Sequence, residues 1–434
     1  MKNSLLLQNF IQNYNWLKER GFAHSDVLIE KFADPVTRIH GHDLVCFCSN
    51  NYLGLSKRPE VIEAAQKALL EHGIGTCESR RLGGNLNLLE ELEAEIADFK
   101  HSEDAIIFAT GLMVNVGVIP ALTDSDFYIK LFYGREIGKK EFVILGDEIN
   151  HRSIQMGIKL SKADFFKYRH SDMDHLEELL EKNKGKIIFI ITDSVFSMDG
   201  DLAHLDRITE LAEKYEAAVM IDEAHGTGVW GPNGRGAAEH FGVCDKIEVA
   251  MGTLSKALGG LGGFVSGRKE MVDMLKINTS TYYFTSSLPA DEAAGLIASF
   301  KILKKEPELR AKLWKNVDRM VTGLLKIGVN TPKRYSQIIP IIIGDEEKAF
   351  KIEQDLYEYG ILCSAVGAPA VAHGMERIRC TINTTHTFEH IDKFLEAAAA
   401  LVKKYDLPVT PLTEAEISAF KNSAPDYIKA MVKK

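Results

Sequence analysis

Lys256 lies in a Thr-Leu-Ser-Lys turn followed by Gly259, Gly260, Gly262 and Gly263. Glycines there let backbone come close to a bound group while the amine points into a cleft. A lysine at a cleft edge can form a Schiff base, and a carboxylate such as Asp222 can hold a pyridine nitrogen protonated. Together they suggest pyridoxal phosphate. Two other readings are open on spacing alone. Lysines near strand ends are commonly solvated surface groups, and Asp222-Glu223-Ala224-His225 matches the tetrapeptide of nucleotide-driven helicases. The helicase reading fails because no GxxxxGK[ST] phosphate loop lies upstream.

Strand ends must position these groups. Ala217 to Ile221 is an apolar run ending at Asp222, and Ile247 to Met251 is another ending at Gly252, Thr253 and Lys256. Such runs read as buried parallel strands with polar groups at their C-terminal ends, where open α/β sheets hold ligands. Ala105 to Phe108 leads into Thr110-Gly111-Leu112, which opens a helix whose unpaired N–H groups make a seat for a phosphate. On sequence alone Thr110 is equally an ordinary N-cap. Phe142 to Leu145 leads to Asp147 and His151, and Ile187 to Thr192 leads to Asp193. The spacing predicts a helix from Pro59 to Glu71, closed by Gly73 and Gly75, and smaller-domain strands near 337–343 and 377–382.

The chain has 434 residues, 45% apolar and 26% charged, which suits a soluble protein with a large and a smaller domain. The expected divisions are an N-terminal segment (1–55), a large cofactor-binding domain (56–299), a small C-terminal domain (300–402) and a tail (403–434). A net charge of −9 argues against nucleic-acid binding. Cys46 and Cys48 would share a strand face, but no second pair or nearby histidine cluster completes a metal site, so the six cysteines read as core or half-buried thiols in a reducing cytoplasm. No metal is expected. The first residues are too short and polar for a signal peptide, and no stretch of 18 apolar residues exists.

Seven stretches carry a resemblance: SNNYLGL (49–55), TGLMVN (110–115), DEINHRS (147–153), DSVFSMDGD (193–201), DEAHGTG (222–228), GTLSKALGG (252–260) and TSSLP (285–289). In this order the chain resembles the α-oxoamine synthases over about residues 20–402. The resemblance implies a fold-type I pyridoxal phosphate-dependent transferase of α/β class, with a mostly parallel large-domain sheet and a smaller C-terminal domain. It implies that Lys256 bears the cofactor, Asp222 faces its ring nitrogen, His151 stacks on the ring with Asp147 in support, and His225 lies near the phenolic oxygen. Thr110, Gly111, Leu112 and Thr253 would hold the phosphate, joined by Thr285 and Ser286 from the partner of a homodimer with composite sites. Ser197 would contact the ring oxygen or substrate. Arg379 would grip the substrate carboxylate in planar bidentate geometry, and of Asn50 and Asn51 the former is the better candidate to assist it.

The implied reaction joins an amino acid to an acyl-CoA or acyl-carrier thioester, releases carbon dioxide and gives an α-amino ketone. Within the family the pairings include glycine with acetyl or succinyl donors, alanine with a pimeloyl donor and serine with a long acyl donor. Overall similarity leans toward the serine palmitoyltransferase or 8-amino-7-oxononanoate synthase types. Asp193 stands where relatives have glutamate, Leu89 where they have histidine, and Gly367 where they have an arginine. If the histidine only packs a helix, leucine replaces it without consequence; if it shapes the acyl-donor or dimer surface, the last two changes lower polarity beside the expected substrate channel and lean toward a medium or long acyl donor. Arg135 or Lys139, in an excursion at 123–141 that is longer than the family link, could replace the arginine, and the excursion could border the donor entrance. An aminotransferase of the same fold and a non-catalytic partner subunit are the rival readings.

Overall fold

The computed structural model describes residues 4–19, 27–32, 34–125, 127–135 and 141–433. The apolar runs become a seven-stranded sheet in the order Asp104–Phe108, Gly263–Gly267, Val249–Thr253, Ala218–Asp222, Ile187–Asp193, Phe142–Asp147, Asp164–Tyr168. Gly263–Gly267 is antiparallel to both neighbours, and the other pairings are parallel. Val219, Met220 and Ile221 are all buried, as expected of a central strand covered on both faces. Parallel pairing brings the C-terminal ends together, so Asp147, Asp193, Asp222 and Thr253 share one edge of the sheet. Asp193 stands opposite Asp222 in register.

The helix Gly111–Thr123 starts at that edge, capped by the Thr110 hydroxyl, which accepts from the Met113 amide at 3.2 Å. A Cβ on Gly111 would lie 3.2 Å from Thr253 Oγ1, and one on Gly263 would lie 2.7 Å from Gly111 Cα. Only bare backbone lets the helix start nestle this closely against two strands.

The helix expected over 59–71 forms as Pro59–His72 and ends at Gly73 with φ 78°. The expected C-terminal strands form as Ile338–Ile342 and Arg377–Thr381, antiparallel, with Ser364–Val366 on the other side of the latter. Near the N-terminus, His42–Cys46 pairs in parallel with Ile361–Leu362. This fastens the segment before residue 55 to the C-terminal region, and one apolar cluster includes Val45, Trp314 and Ile428. The tail folds into Glu414–Asn422 and Asp426–Lys433. The Tyr427 hydroxyl accepts from the Gly231 amide at 3.3 Å, tying the tail to the segment just past DEAHGTG. Among the described residues no helix is long and apolar enough to cross a membrane.

Two sequence expectations need correction. Leu89 is fully buried on the core face of Asn87–Lys100 with Leu92 and Ile96, so its replacement serves packing and does not alter a substrate channel. The 123–141 excursion carries a helix, Phe127–Tyr133. Phe127 lines a cavity with Pro120 and Ala121, at the opposite end of the neighbouring helix from Gly111. Lys139 lies outside the described residues. Finally, Cys77 and Cys244 are exposed, whereas Cys46, Cys363 and Cys380 are buried and Cys48 half-buried.

Candidate active site

Two hydrogen-bonded arms meet at the sheet edge. In the first, Lys256 Nζ lies 2.8 Å from His225 Nε2, and His225 Nδ1 lies 2.7 Å from the Tyr52 hydroxyl. The hydroxyl donates to Asn50 Oδ1 at 3.1 Å. These contacts are satisfied by one assignment of protons: the amine donates to Nε2, Nδ1–H donates to the tyrosine oxygen, and the tyrosine proton goes to Asn50. Gln337 holds the histidine from behind, its Nε2 donating to the His225 carbonyl at 2.7 Å while its Oε1 accepts from the Trp230 indole at 3.0 Å.

Burial pushes His225 well below the ordinary histidine range, and the charges of Lys256 and Arg379 act in the same direction. Its ring is therefore neutral at physiological pH. Burial also lowers the Lys256 amine to about 8, with Asp222 and Asp193 opposing the shift.

In the second arm, Asp222 Oδ2 accepts from Asn115 Nδ2 at 2.8 Å and Oδ1 accepts from the Ala224 amide at 2.9 Å. Asn115 Nδ2 also donates to Ser153 Oγ at 2.9 Å, and that oxygen lies 2.7 Å from His151 Nδ1. The His151 amide donates to Asp193 Oδ2 at 2.6 Å. Burial first, and then the neighbouring Asp222 carboxylate, push the Asp193 carboxyl well above the usual carboxylate range. Burial lowers His151 as well.

Arg379 borders the first arm. Its Nε donates to the Ser197 carbonyl at 2.6 Å, which fixes the guanidinium plane, and its charge partly offsets the rise that burial imposes on the Tyr52 hydroxyl. Asn50 joins the site through Tyr52, whereas the Asn51 amide is committed to Asp34 at 2.7 Å and Ser56 at 2.8 Å and shapes the loop. Thr110, Gly111 and Thr253 converge at the helix start, and Leu112 is 49% exposed beside them. Thr285 and Ser286 instead line a small cavity with Arg80, Phe108 and Tyr282.

Tyr52, Asn115, Ser153 and Gln337 were not identified from the sequence. The first three lie inside stretches 49–55, 110–115 and 147–153, and of these only Asn115, a polar residue closing the apolar Leu-Met-Val run, stood out locally. Gln337 merely precedes a strand and gave none. The assembled groups can seat an anion at a helix start, receive a carboxylate on a fixed guanidinium and move a proton with an amine that titrates near neutrality.

The profile of the aminotransferase class I and II family matches residues 42–397. 8-Amino-7-oxononanoate synthase 1 of Bacillus velezensis is 39% identical over 380 residues, covering 87% of this chain and 93% of that protein. The Thermosipho melanesiensis 8-amino-7-oxononanoate synthase is 41% identical, covering 91% and 97%. Among solved structures, the serine palmitoyltransferase of Sphingomonas wittichii superposes with a TM-score of 0.85 at 30% identity, covering 93% of this chain and all of that one.

Proposed function

Because this chain belongs to the aminotransferase class I and II family, and within it to the α-oxoamine synthases, we propose that it condenses a small amino acid with an acyl thioester. Carbon dioxide is lost and an α-amino ketone is formed. The observation that carries the proposal is the half-buried Lys256–His225 contact at 2.8 Å beside a doubly anchored Asp222.

The residues present fit pyridoxal phosphate. The cradle at Gly111, too tight for a Cβ to enter freely, and the helix N–H groups suit a phosphate; Asp222 suits a protonated ring nitrogen; Lys256 suits the carbonyl carbon. When bound, this cofactor supplies an electron sink for negative charge at the amino-acid α-carbon. Arg379 receives the amino-acid carboxylate, its orientation set by Ser197. Lys256 Nζ, lowered to about 8 by burial, takes and returns the α-proton. His225 holds that amine in place, and Tyr52 and Gln337 hold His225.

The donor is assigned as a medium or long acyl thioester. Gly367 leaves a space that the Glu346 carboxylate fills, with Oε1 2.8 Å from where a Cβ would stand. A carboxylate there opposes a donor that ends in a second carboxylate. A second reading, alanine with a pimeloyl donor, is favoured by the names of the curated relatives. Release of free thiol from a panel of coenzyme A thioesters, with glycine, alanine and serine in turn, tests the reaction. Keto-acid formation without thiol release would identify an aminotransferase, and no turnover with any pair would identify a non-catalytic subunit.

Two further outcomes are expected. Uptake of pyridoxal phosphate by cofactor-free protein needs the unprotonated amine, so its rate should rise with pH and level off above about 8. A midpoint near the ordinary lysine value of about 10.4 would contradict the burial argument. The enzyme is also proposed to be a cytoplasmic homodimer in which Thr285 and Ser286 serve the partner's phosphate. Mixing Lys256→Ala subunits with subunits altered at Thr285 and Ser286 should then restore part of the activity, because one hybrid site is intact. A fully active monomer in sedimentation would refute the composite site.

A further inference from the structure

The turn that follows His225 has few side chains of its own to hold it. From Gly226 to Gly236 the chain runs Gly-Thr-Gly-Val-Trp-Gly-Pro-Asn-Gly-Arg-Gly, and Gly228, Gly231, Gly234 and Gly236 all take positive φ. Ordering so much glycine is costly in entropy, so fixing contacts must come from elsewhere in the fold. Two come from the C-terminal half of the chain. Arg310, on the helix Glu308–Ile327, donates to the Gly231 carbonyl at 2.9 Å and to the Pro232 carbonyl at 2.8 Å. Tyr427, in the first turn of the C-terminal helix Asp426–Lys433, accepts from the Gly231 amide at 3.3 Å and lies 3.0 Å from His240 Nδ1. Burial lowers His240, which leaves its ring neutral and able to accept the tyrosine proton.

From this turn an unbroken line of contacts reaches Lys256. Trp230, next to Gly231, is 3% exposed and packs edge-on against His240 and Trp314, with ring centres 5.4 Å and 5.0 Å away. Its indole N–H donates to Gln337 at 3.0 Å, the Gln337 amide donates to the His225 carbonyl at 2.7 Å, and His225 Nε2 lies 2.8 Å from Lys256 Nζ. Gln337 therefore holds His225 only as firmly as the turn holds Trp230.

We infer that Tyr427 is a positioning residue for the Lys256 amine, acting through the 226–236 turn, Trp230, Gln337 and His225. The C-terminal helix thereby takes part in proton transfer from outside the site. The assignment rests on the role given to Lys256 above. Removing the hydroxyl does not undock the helix, because Ile428 is fully buried and Met431 and Val432 pack against the same core.

The test is Tyr427→Phe. Amino-acid α-proton exchange at saturating amino acid should slow roughly twofold to tenfold, the effect of one lost hydrogen bond. The amino-acid concentration for half-maximal exchange should not move, because Arg379 is anchored separately on Ser197. In cofactor-free protein the pH midpoint for pyridoxal phosphate uptake should rise from about 8, since a loosened turn admits water to an amine that burial holds down. Asp222, Asp193 and Arg379, the charged groups that act on this amine, are untouched by the substitution. Two comparisons separate positioning from plain stability. Thr413→Ala removes the capping box of the other tail helix, Glu414–Asn422, and lowers stability without touching the turn, so its exchange rate and midpoint should match the wild type. In a Gln337→Leu background Tyr427→Phe should have no further effect, because the line is already cut.

An unchanged exchange rate and midpoint in Tyr427→Phe, an equal loss in Thr413→Ala, or full additivity with Gln337→Leu would overturn the positioning role. Should Gln337→Leu fail to fold, the other two variants decide the matter. Absence of α-proton exchange in the wild-type protein would instead overturn the reaction assignment, and the uptake midpoints would still decide the role of Tyr427.

Discussion

Replacing Lys256 with alanine is expected to cut turnover by about 10²-fold to 10⁴-fold, the range for loss of a positioned proton-transfer group. It should also abolish the bond to pyridoxal phosphate that borohydride fixes in the wild-type protein. The expectation follows from the position of this amine, 2.8 Å from His225 Nε2 and lowered by burial to about 8. Truncation leaves His225 without its partner but does not alter its bonds to Tyr52 and Gln337. The fold and non-covalent cofactor binding should therefore survive, and peptide mass analysis after borohydride treatment should find the phosphopyridoxyl group on Lys256 in the wild type and nowhere in the variant. A Lys256→Ala protein with full activity would remove the amine from the chemistry.

Asp222→Asn is expected to slow α-proton exchange by about 10²-fold to 10³-fold, as when one preorganised electrostatic partner of a developing charge is lost. A neutral amide cannot keep a ring nitrogen protonated. The substitution also conflicts with its surroundings: Asn115 Nδ2 and the Ala224 amide both donate to this carboxylate, so an amide NH₂ at either oxygen position would face a donor. That mismatch costs roughly 1–3 kcal/mol of stability, which thermal unfolding would register. Exchange of the amino-acid α-proton followed in deuterated water separates the two effects, and unchanged exchange would show that another group serves the ring nitrogen.

What the sequence revealed and what it concealed divide along physical lines. Asp222 and Thr253 were legible because parallel strands leave their C-terminal ends on one edge, and each apolar run ends at one of them. Lys256 was legible because glycines flank it. Thr110 showed itself as the polar residue before a helix. By contrast the bonds of Tyr52 to His225 and of Asn115 to Asp222 and Ser153 span 38 to 173 positions, and no local pattern announces them. Leu89 looked like a change in the substrate channel because its neighbourhood was inferred from relatives, yet the 3.6-residue period of Leu89, Leu92 and Ile96 already pointed inward. Gly367 was read as standing at a family arginine position, and the carboxylate that occupies the space beside it comes from Glu346, a residue that no spacing rule connects to it.

The central claim is tested most directly by the balance of products. Purified holoenzyme given an isotopically carboxyl-labelled amino acid and an acyl-coenzyme A should release labelled carbon dioxide and free thiol in a one-to-one ratio. Both products should require both substrates and disappear in Lys256→Ala. Conversion of the amino acid to its keto acid with the label retained and the thioester intact would contradict the account.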